Sequence, residues 1–429
     1  MIKRVFYNAG AQILGKGFTA GTTLIVTLLV GRSLGPAGFG DFTKIFVFVG
    51  YFYTFSDFGL NSIYVAKSNP KNEAALFRVL VSLRLVMALI FVALTLLVGF
   101  FLPYNAAENT GFGPVVKIGI AVASLTILTQ ALYTSANSLF QKKLRYDLST
   151  IAAVTGAIAI LLTVFLISLE GASVIRFAQA YVVGGIVTVF SAYLILYAKW
   201  QIFVLPKIGW GAFLNYLSKS WPVGLALILN LIYFRVDVLI LAWVRQPQEV
   251  GIYGLAYQFF ESSLAIPIFF VNAIYPLLAN VYRQNQRKFY KDVKFWILML
   301  FSISVVLSIF LILVSFLIPF LYDVRFTPST LPLVILASGI PFFFLSALLW
   351  HVLIIFDRQK NLVLVYGAGA LFNLIANLIF IPKFGYIAAA VTTVVSEAFI
   401  LFLLIVIVLA ASKLKTANSY NRSQKTVDL

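Results

Sequence analysis

No cysteine occurs anywhere in the 429 residues, so the chain has no disulfide framework, no thiolate metal site and no thiol nucleophile. Histidine is nearly as scarce. His351 stands alone, which excludes a multi-histidine metal site and argues against a histidine-dependent catalytic relay; beside Trp350, it is expected to pack rather than to transfer protons. Charge is thin as well, 11% of residues where soluble domains carry about 25%. With 62% hydrophobic residues, a water-soluble fold could not cover its own surface. Acidic residues number only 14 against 32 basic ones, a formal net charge of +18. In a soluble protein that excess would indicate nucleic acid; here the placement of the charges points elsewhere, and no nucleic-acid partner is expected.

What is abundant is hydrocarbon. A membrane helix needs about 20 mostly apolar residues, and the sequence divides into twelve such segments at 11–33, 42–66, 79–102, 115–137, 148–169, 175–197, 218–244, 250–281, 295–319, 331–356, 362–381 and 386–412. The long seventh and eighth are expected to bend or tilt. The first lacks a small-residue cleavage site and reads as a retained span, not a removed signal peptide. The breaks between spans alternate in charge. One set, which includes both chain ends, holds 23 of the 32 basic residues, and the other holds seven. By the positive-inside rule both termini are cytoplasmic, in a multi-pass protein of the cell inner (plasma) membrane. The longest outward loop is 103–114, too short to carry an extramembrane domain.

An internal repeat is visible. Pro36-Ala-Gly-Phe-Gly40-Asp-Phe42 and Pro247-Gln-Glu-Val-Gly251-Ile-Tyr253 place Pro, Gly and an aromatic at the same spacing, 211 residues apart. Gly156 and Gly369 sit in similar surroundings 213 residues apart. Two nearly equal offsets predict an all-α polytopic membrane protein with twelve transmembrane helices in two pseudo-symmetric six-helix lobes around a central cleft. The lobes are expected at 1–205 and 206–412, followed by a cytoplasmic polar tail at 413–429.

A charge at the centre of a span costs about 2.5–3.5 kcal/mol on insertion scales, so such residues face a partner or a wet cavity. Seven qualify: Lys16, Asp57, Arg84, Arg235, Asp237, Glu261 and Glu397. Depth arithmetic puts Lys16 level with Asp57, and Arg235 level with Glu261, as candidate ion pairs. Arg84, about two turns inside its span, is placed to snorkel. Span one carries a polar stripe, Gln12, Lys16, Thr19, Thr23 and Thr27, at steps of three or four. Other stripes include Gln130, Asn230, Tyr253 and Tyr257, whose amides and rings suit sugar contacts.

These features together resemble the polysaccharide transporter branch, the O-antigen and oligosaccharide-lipid flippases, of the superfamily that also holds MATE multidrug exporters and lipid II flippases. The resemblance is carried by Gly31-Arg-Ser-Leu-Gly-Pro36-Ala-Gly-Phe-Gly40-Asp-Phe42, Ser56-Asp57-Phe58-Gly59-Leu60, Arg235-Val-Asp237, Val250-Gly-Ile-Tyr253 and Tyr275-Pro276. It implies alternating access and the transfer of an undecaprenyl-diphosphate-linked oligosaccharide from the cytoplasmic to the outer leaflet. Lys16, Arg235 and Arg84 are then the cations at depth for the diphosphate, and Asp57, Asp237, Glu261 and Glu397 the groups for charge pairing or coupling. No cofactor is implied beyond H⁺ or Na⁺ as a coupling ion. The implied partners are the lipid-linked substrate, membrane lipids, and glycosyltransferases or a polysaccharide polymerase. A MATE-type cation-coupled drug or metabolite antiporter is the alternative. A membrane enzyme would need an outward domain or a histidine–acid set that the sequence lacks.

Overall fold

Hydrocarbon leaves backbone amides no outside partner, so apolar runs of this length close their hydrogen bonds internally as helices. A computed structural model describes residues 2–69, 71–202 and 209–425, with side chains from residue 15 to 411 except at 212, 222 and 226. It begins with α1 (Ile2–Asp57), α2 (Leu60–Lys67) and α3 (Glu73–Phe101). A short antiparallel hairpin follows, β1 (Tyr104–Asn105) and β2 (Thr110–Gly111), with Tyr104 opposite Gly111. Then come α4 (Pro114–Lys142), α5 (Tyr146–Glu170), α6 (Val174–Trp200), α7 (Trp210–Val244), α8 (Pro247–Ser263), α9 (Ala265–Gln284), α10 (Gln286–Ser315), α11 (Ile318–Leu321), α12 (Thr330–Ile355) and α13 (Gln359–Lys425).

Among the described residues, ten helical runs are long and apolar enough to cross a membrane. Two of them, Gly15–Lys67 and Gln359–Ala411, are 53 residues each. At 1.5 Å per residue that is about 80 Å, more than twice the roughly 30 Å of hydrocarbon in a bilayer. Each bends at a glycine with non-helical backbone, Gly35 (φ 66°) next to Pro36 and Gly385 (φ 60°) close to Pro382. Those bends fall where the sequence reading separates spans one from two and eleven from twelve. The eighth expected span breaks at Leu264 between α8 and α9, whereas the seventh is one unbroken helix, α7. The expected lobe boundary at 205/206 lies outside the described residues. So do the side chains of the 413–429 tail, although the α13 backbone stays helical to Lys425.

The chain forms two compact units. The first comprises 1–251 with 321–325, and the second 252–320 with 326–429. In the first, a buried cluster joins α2 through α7, including Leu60, Tyr64, Phe77, Leu139, Phe140, Leu196, Phe213 and Tyr216. The second is held by aromatic contacts such as Phe260–Phe343, with centroids 5.2 Å apart, and Phe289–Phe356, 5.8 Å apart. Large apolar side chains such as Phe100, Phe190, Phe310 and Phe402 remain on the outside, as lipid contact requires.

The repeat has a structural counterpart. In the first unit a Cβ on Gly156 would overlap the Thr188 hydroxyl, and in the second one on Gly369 would overlap the Ile400 side chain. The two contacting pairs are offset by 213 and 212 residues, so each glycine performs the same close helix packing in its own unit.

Lys44 is a finding that the charge count missed. It stands at the outer edge of the second expected span, where a lysine is expected in water, yet it is fully buried, with Nζ donating to the Gly111 carbonyl at 2.7 Å and lying 3.9 Å from Asp41. It ties the hairpin to α1. Lys44→Met is expected to raise amide exchange at Phe112, which bonds the Pro103 carbonyl at 2.9 Å, by at least about tenfold, as read by hydrogen–deuterium exchange.

Candidate functional site

The polar groups within the spans sort into three places. The first is the break between α1 and α2, where Phe58 (φ 43°) and Gly59 (φ 69°) turn the chain through the left-handed region. Asp57 sits at its edge and Arg84 reaches it from α3, with Nη2 donating to Asp57 Oδ1 at 2.5 Å. Nη1 donates to Asn61 Oδ1 at 2.9 Å and to Ser135 Oγ at 3.4 Å. Arg84 is 1% exposed and Asp57 26%. The expectation that Arg84 snorkels is therefore corrected: both terminal nitrogens find partners inside the bundle, the Asp57 carboxylate among them, and a guanidinium so held gains nothing by reaching for the interface. Asp57, the carboxylate expected to lie level with Lys16, is engaged through Oδ1 by Arg84. Asn61 and Ser135 were not singled out from sequence, because neither breaks an apolar pattern strongly.

The second place is a cavity of about 190 Å³ in the first unit, whose polar lining is Tyr53, Thr126, Thr129, Gln130, Tyr181 and Thr188. Of the expected sugar-contact residues, Gln130 lies here. Lys16 on α1 and Asn230 on α7 are exposed, and Arg235 is half-buried. Asp237 is 2% exposed, and its Oδ1 accepts from the Val238 amide at 2.7 Å. The threonines of the α1 stripe turn back on their own helix, Thr23 to the Thr19 carbonyl and Thr27 to the Thr23 carbonyl, both at 2.8 Å. The side chain of Gln12 lies outside the described residues.

The third place is in the second unit. Asn373 Nδ2 donates to Ser396 Oγ at 3.0 Å and Asn377 Nδ2 to Asn373 Oδ1 at 2.9 Å, while the Thr392 hydroxyl bonds Asn377. Glu397, next to Ser396, is buried with them, and Glu261 on α8 is half-buried. Two asparagines at i and i+4 in an apolar span are a legible signal that the sequence reading passed over. Tyr253 and Tyr257 are buried, with rings 5.6 Å apart, and the Tyr253 hydroxyl lies 3.4 Å from Thr393 Oγ1. His351 packs, as expected: Nδ1 lies 2.8 Å from the Ala347 carbonyl, and the ring meets Tyr275 edge-on at 5.3 Å. Among the described residues, no group of three or more His, Cys, Asp and Glu side chains is disposed to hold a metal ion.

Outside the spans, Arg145 grips Asp147 with Nε at 2.9 Å and Nη2 at 2.8 Å, which holds the Asp147 carboxyl below its usual range. The pair fixes the turn into α5.

The fold is shared with solved transporters. The lipid II flippase MurJ in an inward-closed conformation superposes with a TM-score of 0.72 at 15% identity, over 94% of this chain and 87% of that one. An inward-facing MATE-family multidrug resistance transporter of the MOP superfamily gives 0.72 at 14% identity, over 92% and 96%. A MOP-superfamily transporter from Pyrococcus furiosus, described as having a binding pocket of reversed polarity, gives 0.60 at 13% identity, over 96% of each chain. These similar structures are transporters and a flippase rather than enzymes, and at such identities they establish the fold alone. No individual curated protein is similar enough in sequence to match. Residues 5–282, well over half of the chain, do match a family model described as polysaccharide biosynthesis protein. This predominantly helical, multi-pass membrane chain, with the fold of the MOP-superfamily transporters, therefore belongs to the polysaccharide biosynthesis protein family.

Proposed function

We propose that the protein is a flippase that carries an undecaprenyl-diphosphate-linked oligosaccharide from the cytoplasmic to the outer leaflet of the inner membrane, by alternating access between two six-helix lobes, 1–205 and 206–412. The observation that carries this reading is that the polysaccharide-family match runs along membrane helices. A family that builds polysaccharide with spans alone acts on the part of the process that is transfer across the bilayer. Similarity of fold does not discriminate, because a flippase and a drug exporter superpose equally well, at 0.72 each. The family match does discriminate, and it favours the glycan over a drug or metabolite cation.

The cargo sets the physical problem. Its lipid tail can stay in hydrocarbon, but the diphosphate and sugars lose their hydration there. Lys16 and Arg235 are the cations assigned to the diphosphate, with Gln130 and Asn230 as sugar contacts. Tyr253 and Tyr257, buried within the second unit, are assigned to packing. Asp237, Glu261 and Glu397 are the groups assigned to charge pairing or to binding the coupling H⁺ or Na⁺. Coupling is not needed thermodynamically. At about 2.3 kcal/mol per charge per 100 mV, moving two diphosphate charges out of a negative interior is favoured by about 4–5 kcal/mol.

The test is transfer of a fluorescent polyprenyl-diphosphate oligosaccharide across proteoliposomes under an imposed potential. The rate is expected to rise when the loading side is made negative, and to fall at least about tenfold in both Lys16→Ala and Arg235→Ala without loss of folded protein. Unchanged transfer in both variants would reject the assigned cations. Absence of transfer by the wild type, together with efflux of a fluorescent cation that Glu261→Gln abolishes, would replace the flippase with an antiporter.

A further inference from the structure

The α2 and α7 helices run together in the first unit, and their sequences repeat a short pattern where they meet. Tyr64-Val-Ala-Lys67-Ser68 ends α2, and Tyr216-Leu-Ser-Lys219-Ser220 lies in the third turn of α7. In each, Tyr and Lys are three residues apart and the serine follows at four, so all three share one helix face. The helices are in tight contact: a Cβ on Gly59 would press on Val223, and one on Gly224 would press on the Phe58 ring. Tyr64 and Tyr216 are both core residues of the cluster between them.

Two independent features of this seam lack an internal explanation. The Lys67 and Lys219 ammonium groups, both exposed, are within hydrogen-bonding reach of each other, an arrangement in which like charges repel. Behind them the hydroxyls of Tyr64, Tyr216 and Ser68 are buried, and none has a hydrogen-bond partner among the described residues. Leaving such a group unpaired forfeits the hydrogen bonds it made to water in the unfolded chain. The acidic group near Tyr64, Glu73, is held by Lys143 at 2.5 Å, and Lys142 donates to the Val65 carbonyl at 3.0 Å. The neighbourhood is thus cationic and rich in spare donors. A phosphate group supplies what it lacks, because it carries close to two negative charges and oxygens that accept from both ammonium and hydroxyl groups.

We infer that the lysine-rich end of the α2–α7 seam is a phosphate-binding site, in which Lys67 and Lys219 take a phosphate or diphosphate backed by the Tyr64, Tyr216 and Ser68 hydroxyls. The source is either the diphosphate of the lipid-linked cargo or the headgroup of an anionic phospholipid. The cargo source rests on the function proposed above and makes this the docking point before the headgroup reaches Lys16 and Arg235. The binding itself does not depend on that function.

The experiment titrates pyrophosphate against purified protein in zwitterionic nanodiscs and reads the thermal shift. Wild type is expected to be stabilised, with the apparent affinity weakened at least about tenfold in Lys67→Ala and in Lys219→Ala, and weakened further by added salt. Lys291→Ala, an exposed lysine of the second unit, is the control. Tyr64→Phe is expected to weaken binding while leaving the ligand-free protein at least as stable, because the hydroxyl it removes is unpaired. Competition then assigns the source. Displacement of pyrophosphate by phosphatidylglycerol in the nanodisc identifies a phospholipid headgroup, and displacement only by a polyprenyl diphosphate identifies the cargo. Equal pyrophosphate binding by wild type and by the Lys67→Ala/Lys219→Ala double variant would overturn the site. A loss of that binding only in Arg235→Ala would overturn it while leaving the proposed flippase intact.

Discussion

Arg84→Ala is expected to destabilise the protein by about 3–5 kcal/mol, the range for breaking a buried ion pair by removing one partner. The argument follows from the burial of the pair. Arg84 is 1% exposed and holds Asp57 at 2.5 Å and Asn61 at 2.9 Å, so its removal strands a carboxylate and an amide beside a helix break. Asp57→Asn should also be severe, since it leaves a guanidinium in the bundle without a counter-charge. Asp57→Leu combined with Arg84→Leu removes both charges and is expected to be closer to wild type than either single variant. Denaturant unfolding of wild type, Asp57→Leu, Arg84→Leu and the double variant in one detergent gives the double-mutant cycle. A coupling energy near zero would show that the pair is incidental. A strong coupling makes Arg84 the residue that holds the α1–α2 turn, and leaves Lys16 and Arg235 as the cations at depth to meet cargo.

That partnership also marks how far the sequence could be read. Spans and their alternation were legible because hydropathy and lysine placement are local properties. Gly35-Pro36 and the Pro382 to Gly385 stretch declared themselves as breaks for the same reason. Partner choice was not legible. Depth arithmetic sets Asp57 level with Lys16, but which cation it meets depends on how α1, α2 and α3 are turned about their axes, and no periodicity in one helix reports that. The burial of Lys44 is illegible for a related reason. A lysine beside a loop is expected in water, and only the hairpin folding back over it removes the water and supplies the Gly111 carbonyl. The Asn373–Asn377–Thr392–Ser396 chain lies between, since its asparagine spacing was visible while its closure on Thr392 and Ser396 required the bend at Gly385. The seam of α2 and α7 is the clearest case, because the two Tyr-x-x-Lys-Ser segments acquire meaning only as neighbours.

Gly40→Ala and Gly251→Ala are expected to impair transport about 100-fold each, and for a reason the repeat supplies. A Cβ on Gly40 would overlap the Pro247 carbonyl, and a Cβ on Gly251 would overlap the Pro36 carbonyl. The contact is reciprocal: the proline of each motif copy meets the glycine of the other, as a self-complementary two-fold contact requires. Backbone is pressed on backbone, so no side-chain rotation can make room. Even one methyl group must separate the segments. If the transport cycle passes through this approach, a penalty of about 3 kcal/mol on it lowers the competent population by about 100-fold. Because both substitutions break one contact, the double variant should be little worse than either single one. Gly21→Ala is the control, since a Cβ there would meet nothing within 4 Å. The absence of cysteine makes the measurement clean, because thiols introduced at Ala37 and Gln248 are the only ones to label. Spin-label distances between them should show a short population in wild type and in Gly21→Ala, and its loss in Gly40→Ala. A short population that survives in Gly40→Ala would mean that the two segments yield more easily than their packing implies, and that their contact does not govern the cycle.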